Sequence, residues 1–154
     1  MKIECIFVGK TSQKYLESGI ADFTKRLKRY TPVTIKIVKD SKSKASEAEI
    51  TKLEGQGIIK ALSTDTFCIV LDPNGKSLSS EKFAQQISQW QRQNRKIVSF
   101  VVGGSNGLSD EVFTRADYKL SLSEMTFTHD MARLILLEQI YRAYSILAGS
   151  KYHK

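Results

Sequence analysis

Apolar residues recur along the chain with two alternating spacings, one typical of β-strands and the other of α-helices. Short apolar or alternating runs predict five strands, at residues 2–8, 33–37, 66–71, 96–102 and 118–122. Apolar residues spaced three or four positions apart predict five helices, at residues 12–30, 46–62, 79–90, 109–115 and 130–147. This alternation predicts one α/β domain over residues 1–154, with a mainly parallel sheet flanked by helices.

Polar residues at the ends of these elements predict where they begin and end. Ser12 is the candidate N-cap of the first helix, and Ser46 with Glu49 forms a capping-box pattern at the start of the second. Residues 72–76, Asp-Pro-Asn-Gly-Lys, predict a turn after the third strand. Residues 150–154 form a polar tail, which is expected to be frayed.

Ligands of parallel α/β sheets bind at the carboxyl ends of the strands, which draws attention to the loops at 71–76, 103–107 and 123–128. The glycines of the second loop allow the main chain to approach a ligand closely. Its spacing is not the dinucleotide fingerprint, and residues 75–77, Gly-Lys-Ser, lack the upstream glycine of a P-loop. The glycine loop is therefore compatible with a small-molecule site or with a plain tight turn.

The charge balance indicates an anionic partner. Lys and Arg number 24 against 16 Asp and Glu, a formal net charge of +8, and the first 60 residues hold 13 basic against 7 acidic residues. This excess favours nucleic acid over membrane as a partner, although a solvated helix face is equally compatible with it. No signal peptide or membrane span is evident, and the two cysteines, Cys5 and Cys68, lie in apolar strands, so a cytoplasmic protein is expected.

Few residues suit acid–base or metal chemistry. The sequence contains two histidines, His129 beside the third loop and His153 in the tail, and neither has a metal-ligand spacing to a Cys or to the other His. We therefore expect no metal site. Hydrolytic chemistry has little support, whereas a reaction on a pre-activated cofactor needs mainly binding and orientation from the protein.

Four segments together carry a resemblance to a known family. They are residues 100–108 (Phe-Val-Val-Gly-Gly-Ser-Asn-Gly-Leu), residues 120–129 (Leu-Ser-Leu-Ser-Glu-Met-Thr-Phe-Thr-His), Arg133 with residues 138–144 (Glu-Gln-Ile-Tyr-Arg-Ala-Tyr), and the final Tyr-His-Lys. The chain resembles, over its full length, the ribosomal large-subunit RNA methyltransferases of the SPOUT superfamily. The resemblance implies a homodimer with a trefoil knot near the C-terminus, which periodicity alone would never predict.

The same resemblance implies the reaction and the cofactor. The expected activity is transfer of a methyl group from S-adenosylmethionine to N3 of a pseudouridine in 23S rRNA, on the assembled 70S ribosome. The resemblance places the cofactor contacts at Leu71, Gly104, Ser123, Glu124, Met125, Thr126, Phe127 and Thr128. These residues lie in the three loops at strand ends. The family usually has Pro where this chain has Thr128, so this loop is expected to be less rigid.

Other roles are assigned by charge and position. The candidates for removing the N3 proton are His129, the partner subunit's His153 and Glu124, and loss of the proton to water is a further alternative. The expected rRNA contacts are Arg133, Arg142, Tyr152, His153 and Lys154. The last helix also carries an apolar face, for which periodicity slightly favours the core and the resemblance favours the dimer interface; it is formed by Leu134, Ile135, Leu137, Ile140 and Tyr144.

Two other classes of function remain open from the sequence. One is a basic RNA-binding module that has no enzymatic activity, which would bind no cofactor. The other is a nucleotide-dependent oxidoreductase, which the missing dinucleotide fingerprint disfavours.

Overall fold

The structure is a computed structural model that describes residues 1–41 and 44–153. The strands are β1 (Lys2–Val8), β2 (Val33–Val38), β3 (Phe67–Ser77), β4 (Ile97–Val102) and β5 (Tyr118–Ser121). The helices are α1 (Lys14–Leu27), α2 (Glu47–Ala61), α3 (Ser80–Arg92), α4 (Asp110–Arg115) and α5 (His129–Leu147), followed by a 3-10 turn at Lys151–His153. Every predicted strand and helix is present, and apart from the end of β3 their ends shift by only a few residues.

The five strands form one sheet in the order β2-β1-β4-β3-β5, and all neighbouring strands are parallel. Helices α1, α3 and α5 contribute buried side chains to the core on one face, and α2 and α4 contribute to the core on the other. The α/β class with a parallel sheet between helices is confirmed. Because all strands run the same way, their carboxyl ends meet at one edge of the sheet.

The centre of the sheet is covered on both faces, as the continuous apolar run of β4 predicts. Phe100 and Val101 on β4 are both fully buried. Trp90 of α3 packs its ring near Phe67, Phe100 and other aromatic rings at centroid distances of 5.6–6.4 Å. Such contacts bury large apolar areas in one cluster and fix the position of α3 on the sheet.

The two predicted helix caps have different outcomes. Ser46 caps α2 in a complete capping box, since its side chain accepts from the Glu49 N–H and the Glu49 carboxylate accepts from the Ser46 N–H. The prediction that Ser12 caps α1 is wrong, because α1 begins at Lys14 after Gln13. The Ser12 N–H and hydroxyl donate instead to Asp130 Oδ2, at 2.9 and 2.8 Å.

The predicted end of the third strand is also wrong. β3 continues to Ser77, and its pairing with β5 is interrupted between Leu71 and Lys76 and then resumes at Lys76 and Ser77. A Cβ on Gly75 would lie 2.8 Å from the carbonyl carbon of Leu120, so only glycine fits where the main chain of β3 passes close to β5.

The trefoil knot that the resemblance implies stays a prediction.

The C-terminal segment is packed on the protein rather than frayed. Gly149, with φ +66°, follows α5 in the left-handed conformation that commonly ends helices. Residues 151–153 then turn back onto α5. Lys154, one of the residues expected to contact rRNA, lies outside the described residues. No described helix is both long enough and apolar enough to cross a membrane.

The apolar face of α5 is mainly core. Leu137, Ile140 and Tyr144 are almost wholly buried within the single chain, whereas Leu134 and Ile135 remain partly exposed. Leu134 lies against Gly19 of α1, where a Cβ would approach its methyl carbon to 2.8 Å. Three of the five residues are therefore buried in the single chain, and only the other two keep exposed surface for an interface.

Candidate functional site

The three loops at the carboxyl edge of the sheet enclose a cleft of about 710 Å³. Its wall is mostly apolar and is built from residues 71–73, residues 102–108 and residues in the 122–129 segment, with Ala132 of α5 also contributing. A volume of this size and an apolar wall with a few polar groups are typical of sites for small organic ligands. The cleft lies where the strand topology places ligand sites in parallel α/β proteins.

Most residues predicted to bind the cofactor line this cleft. Seven of the eight do so, together with His129: they are Leu71, Gly104, Ser123, Met125, Thr126, Phe127 and Thr128. The eighth, Glu124, is exposed and is not part of the wall. Its side chain is therefore less well placed than the other seven to contact a ligand inside the cleft.

The cleft carries little charge. Among the described residues that line it there is no Lys or Arg, and Asp72 is its one carboxylate. Asp72 Oδ1 accepts a hydrogen bond from the Asn74 N–H at 3.0 Å, which shapes the first loop. An apolar cleft with a carboxylate and no cation favours a ligand whose reactive part is positive or neutral over one that carries several phosphates.

Gly104 is closely packed against the wall behind the cleft. A Cβ at this position would lie 3.0 Å from Glu54 Oε2 and 3.3 Å from a methyl carbon of Val8. Neither Glu54 nor Val8 lines the cleft, so a side chain here would point into the protein. The expectation that this glycine leaves room for the cofactor is therefore incomplete, because the closest approach is to Glu54.

Glu54 lies behind the wall of the cleft, a position that the sequence did not suggest. Its side chain is 6% exposed, and Oε1 accepts from the Ser41 N–H at 3.1 Å. Oε2, the oxygen nearest to Gly104, has no hydrogen-bond partner among the described residues. In the sequence Glu54 looks like one more charged residue of an amphipathic helix, so no local signal could have revealed its burial.

The third loop is ordered by its own hydroxyl groups. Ser121 Oγ donates to the Ser123 carbonyl at 3.0 Å, and Ser123 Oγ accepts from the Met125 N–H at 3.0 Å. Thr128 is the N-cap of α5, where its hydroxyl accepts from the Met131 N–H at 3.2 Å. The loss of rigidity expected from Thr in place of Pro is thus offset by a helix cap.

Met125 and Phe127 project from this loop. Met125 is 76% exposed and Phe127 is 37% exposed, although both line the cleft. Large apolar side chains at the mouth of a cleft are available to cover a bound ligand.

His129 lies at the boundary between the cleft and a buried ion pair. Its Nε2 is 3.5 Å from Asp130 Oδ1, and its side chain is 38% exposed. Asp130 is buried, and its carboxylate also accepts hydrogen bonds from the N–H and the hydroxyl of Ser12. Burial would raise the pKa of Asp130, but the hydrogen bonds from Ser12 and the charge of Arg133 outweigh it and lower that pKa. Asp130 is therefore a fixed negative charge beside His129.

Arg133 is not placed where RNA could reach it. Its side chain is wholly buried, with Nη1 at 3.0 Å from Asp130 Oδ1 and 3.1 Å from Thr11 Oγ1. Nη2 donates to the Val8 carbonyl, and the guanidinium lies over the Phe7 ring. The expected rRNA contact by Arg133 is thus corrected: it ties the end of β1 and the following loop to α5, beneath the cleft.

Arg142 and Tyr152 form a second cluster with Glu138. Arg142 Nε and the Tyr152 hydroxyl both donate to Glu138 Oε1, at 2.9 and 3.1 Å, and the guanidinium lies 4.9 Å from the centre of the Tyr152 ring. Tyr152 also packs edge-on against Tyr141 at 4.7 Å. These contacts dock the tail, and Arg142 keeps a quarter of its side chain exposed.

The two histidines are not brought together within one chain. His153 Nε2 lies 2.9 Å from Glu81 Oε1, at the start of α3, and His153 is not among the residues that line the cleft. In the single chain, His153 is therefore held away from the cleft. Within residues 1–41 and 44–153, no group of three or more His, Cys, Asp or Glu side chains is placed to hold a metal ion.

The fold and the cleft define an α/β protein with a small-molecule site at the carboxyl edge of a parallel sheet. The family model for SPOUT methyltransferases, described as a predicted SPOUT methyltransferase, matches residues 1–153. The chain belongs to this family and is a methyltransferase.

Similar proteins extend over the whole chain. A protein of Desulfotalea psychrophila named ribosomal RNA large subunit methyltransferase H is 42% identical over the full length of both chains. A protein of the same name from Clostridioides difficile is 46% identical, again over the full length of both.

Solved structures share the fold at low sequence identity. A probable methyltransferase from Bordetella pertussis has a TM-score of 0.58 at 11% identity, covering 92% of this chain and 95% of that one. A putative methyltransferase from Legionella pneumophila, solved with bound SAM, has a TM-score of 0.52 at 13% identity, covering 93% of this chain and 66% of that one.

Proposed function

We propose that this protein transfers the methyl group of S-adenosylmethionine to N3 of a pseudouridine in 23S rRNA, acting as a homodimer on the assembled 70S ribosome in the cytoplasm. The observation that carries the proposal is the cleft, which three strand-end loops form in a SPOUT methyltransferase. The full-length relatives named for rRNA methylation support the substrate.

The cleft suits S-adenosylmethionine. Its volume fits a ligand of this size, and its apolar wall without Lys or Arg suits a cofactor that carries a positive sulfonium. Leu71, Thr126 and the main chain at Gly104 would hold the cofactor between the first, third and second loops. When bound, the cofactor supplies an already activated methyl group, so the protein needs no metal for this step.

The chain must also remove the proton from N3 and align the acceptor nitrogen. His129 lines the cleft of its own chain, and the carboxylate of Asp130 beside it would stabilise a protonated imidazole. The partner subunit's His153 is the second candidate base, since His153 lies away from the cleft of its own chain. Holding nitrogen and methyl in line lowers the barrier by removing the entropy cost of their encounter.

Contacts with rRNA are assigned to the surface near the tail. On this surface Glu138 binds both Arg142 and Tyr152, and Glu81 binds His153. Lys154 follows directly in the sequence. An aromatic ring with neighbouring cations is a typical site for an unstacked base and its phosphate. A homodimer would place this surface of one subunit beside the cleft of the other.

The deciding experiment is mass spectrometry of 23S rRNA from cells with and without this protein. The expected result is the loss of one methyl group from one pseudouridine, restored by the wild-type gene. Restoration should fail with His129→Phe and succeed with Lys60→Gln, an exposed control on α2. Unchanged rRNA in the deletion strain would reject the proposed substrate.

Calorimetry with S-adenosylmethionine separates the other two classes of function. An RNA-binding module without enzymatic activity would bind rRNA but not the cofactor. An oxidoreductase would bind NADH, which a fluorescence titration detects. The absence of Lys and Arg from the described lining of the cleft already disfavours a pyrophosphate-containing ligand.

A further inference from the structure

A second cleft, which we call the α3 cleft, lies beside the cofactor cleft. It measures about 580 Å³ and is lined by three cations and three amides: Lys76, Lys82, Arg92, Gln85, Gln86 and Gln89. Ser77 and Leu78 complete its described wall, which includes no carboxylate. A concave surface of this composition has the chemistry of an anion-binding groove.

The cations of the α3 cleft are free to bind a ligand. Lys76, Lys82 and Arg92 are exposed, and none of them forms an ion pair or side-chain hydrogen bond with any part of the chain that the structure describes. Arg26, by contrast, is paired with Asp22, and Arg142 is paired with Glu138. Neighbouring unpaired cations repel one another, and an anion would relieve that repulsion.

The sequence around this cleft is locally basic. Residues 76–96 hold five Lys or Arg and one Glu, a net charge of +4. Helix α3 turns Lys82, Gln85, Gln89 and Arg92 to one face, while its opposite face, with Trp90, is buried against the sheet. The groove therefore runs along about ten residues of a well-anchored helix, or about 15 Å. That length suits several consecutive phosphates rather than a single small anion.

The position of the cleft connects it to the reaction. Asp72 and Pro73 line the cofactor cleft, and Lys76, a few residues further along the same strand, lines the α3 cleft. Lys76 also pairs with Leu120, which lines the cofactor cleft. Lys82, in the first turn of α3, follows Glu81, the partner of His153. The α3 cleft therefore begins, at Lys76 and Lys82, close to both the cofactor cleft and the tail, and a nucleic acid lying along the groove would extend from there toward Arg92.

We propose that the α3 cleft binds the phosphodiester backbone of the rRNA next to the methylated nucleotide. Lys82 and Arg92 neutralise phosphates, and the glutamine amides donate to phosphate or ribose oxygens. This inference rests on the proposed function, because it assigns to the same enzyme a surface for substrate binding. It places a basic surface in a segment that the uneven charge of the first 60 residues does not include.

The test is a double charge reversal, Lys82→Glu with Arg92→Glu. The control, Lys52→Glu with Lys60→Glu, makes the same change in net charge at two exposed positions of α2. Affinity is measured for 70S ribosomes and for a 23S rRNA transcript at several salt concentrations, together with S-adenosylmethionine affinity by calorimetry. Lys76 is left in place because its strand also forms the wall of the cofactor cleft.

The reversal at the α3 cleft should weaken binding to both RNA probes by about tenfold or more, and lower the slope of log affinity against log salt by about two. Cofactor affinity should stay within about twofold of wild type, and the control should lose less than about threefold in RNA affinity. Equal losses in both variants would overturn the inference. A loss confined to ribosomes would also overturn it, since it would indicate a ribosomal protein as the partner.

A milder pair, Lys82→Gln with Arg92→Gln, decides the question if the reversal also disturbs cofactor binding. It should still lower the salt slope by about two while leaving calorimetry unchanged, and an unaltered slope would reject the inference. These binding measurements need no methyl transfer. A wild-type protein that methylates no rRNA would reject the proposed function, while the α3 cleft would still be judged by the RNA probes.

Discussion

Replacing Glu4 by Gln tests how the sheet is held together at the edge away from the cofactor cleft. Glu4 is the third residue of β1, and its side chain is 1% exposed. Its carboxylate receives Lys2 Nζ at 2.8 Å, Lys36 Nζ at 2.9 Å and Ser63 Oγ at 2.8 Å. The variant keeps the size of the side chain and removes its charge, so it isolates the electrostatic contribution.

The size of the effect follows from the pKa of Glu4. Burial by itself would raise this pKa, but hydrogen bonds from Lys2, Lys36 and Ser63 outweigh it and lower it from 4.5 to about 2. A pKa difference of this size between the folded and the unfolded protein corresponds to about 3 kcal/mol of folding stability. Because the pKa is lower in the folded state, that stability is fully present above about pH 5 and is lost as the pH falls through about 2.

Urea unfolding of the wild type and Glu4→Gln, at about pH 7 and about pH 2.5, measures this contribution. At pH 7 the variant should be less stable by about 3 kcal/mol, because two lysines lose their buried partner. At about pH 2.5 the difference should shrink, because Glu4 is protonated in the unfolded chain at that pH and most of the linkage stability is lost.

A matched control is Asp22→Asn, which breaks a half-exposed pair with Arg26 and should cost less than about 1 kcal/mol. Cofactor affinity of the folded Glu4→Gln protein should be unchanged. A deficit equal at both pH values, or no larger than the control's, would refute the reasoning.

Changes at four further places test the site and the segments around it. Arg133→Met should lower the free energy of unfolding in urea by about 3–5 kcal/mol, because it leaves the buried Asp130 without its ion-pair partner. Adding Asp130→Asn to this variant should restore part of the lost stability, and no recovery would contradict the pairing. Gly104→Ala should lower the free energy of unfolding by about 1–3 kcal/mol and weaken cofactor binding in calorimetry, because the added Cβ meets Glu54. Wild-type values of both would show that the side chains behind the cleft move aside freely. Thr128→Ala should cost about 1 kcal/mol in thermal unfolding and Thr128→Pro less, since φ is −61° there; the reverse order would argue against the cap. Deleting residues 152–154 should reduce methyl transfer more than cofactor affinity, whereas equal losses would make the tail part of the fold.

The local pattern of the chain was sufficient to predict the strands, the helices and the loops that form the cleft. Phe83, Ile87 and Trp90 recur at helical spacing and are all buried on one side of α3. The Ser46 capping box joins residues three positions apart. Such features depend on neighbours in the sequence, so their physical causes are visible in the sequence itself.

The errors concern residues whose partners lie far away along the chain. Ser12 is bound to Asp130 across 118 residues, and Arg133 reaches the Val8 carbonyl across 125. Glu54 is held against Gly104 by the packing of α2 on the sheet. In the sequence each of these side chains looks like an ordinary polar residue, a cap or a surface charge.

The sequence by itself determined the α/β class, the order of the elements and the loops that could bind a ligand, because periodicity and turn chemistry act over a few residues. The tertiary structure decided which charges are buried, which are free and how the tail docks. Arg133 is buried in an ion pair with Asp130, whereas Lys82 and Arg92 are exposed in a groove and form no ion pair with the described residues. Burial and charge pairing depend on distances in space, and those distances are defined only once the sheet has brought remote segments together.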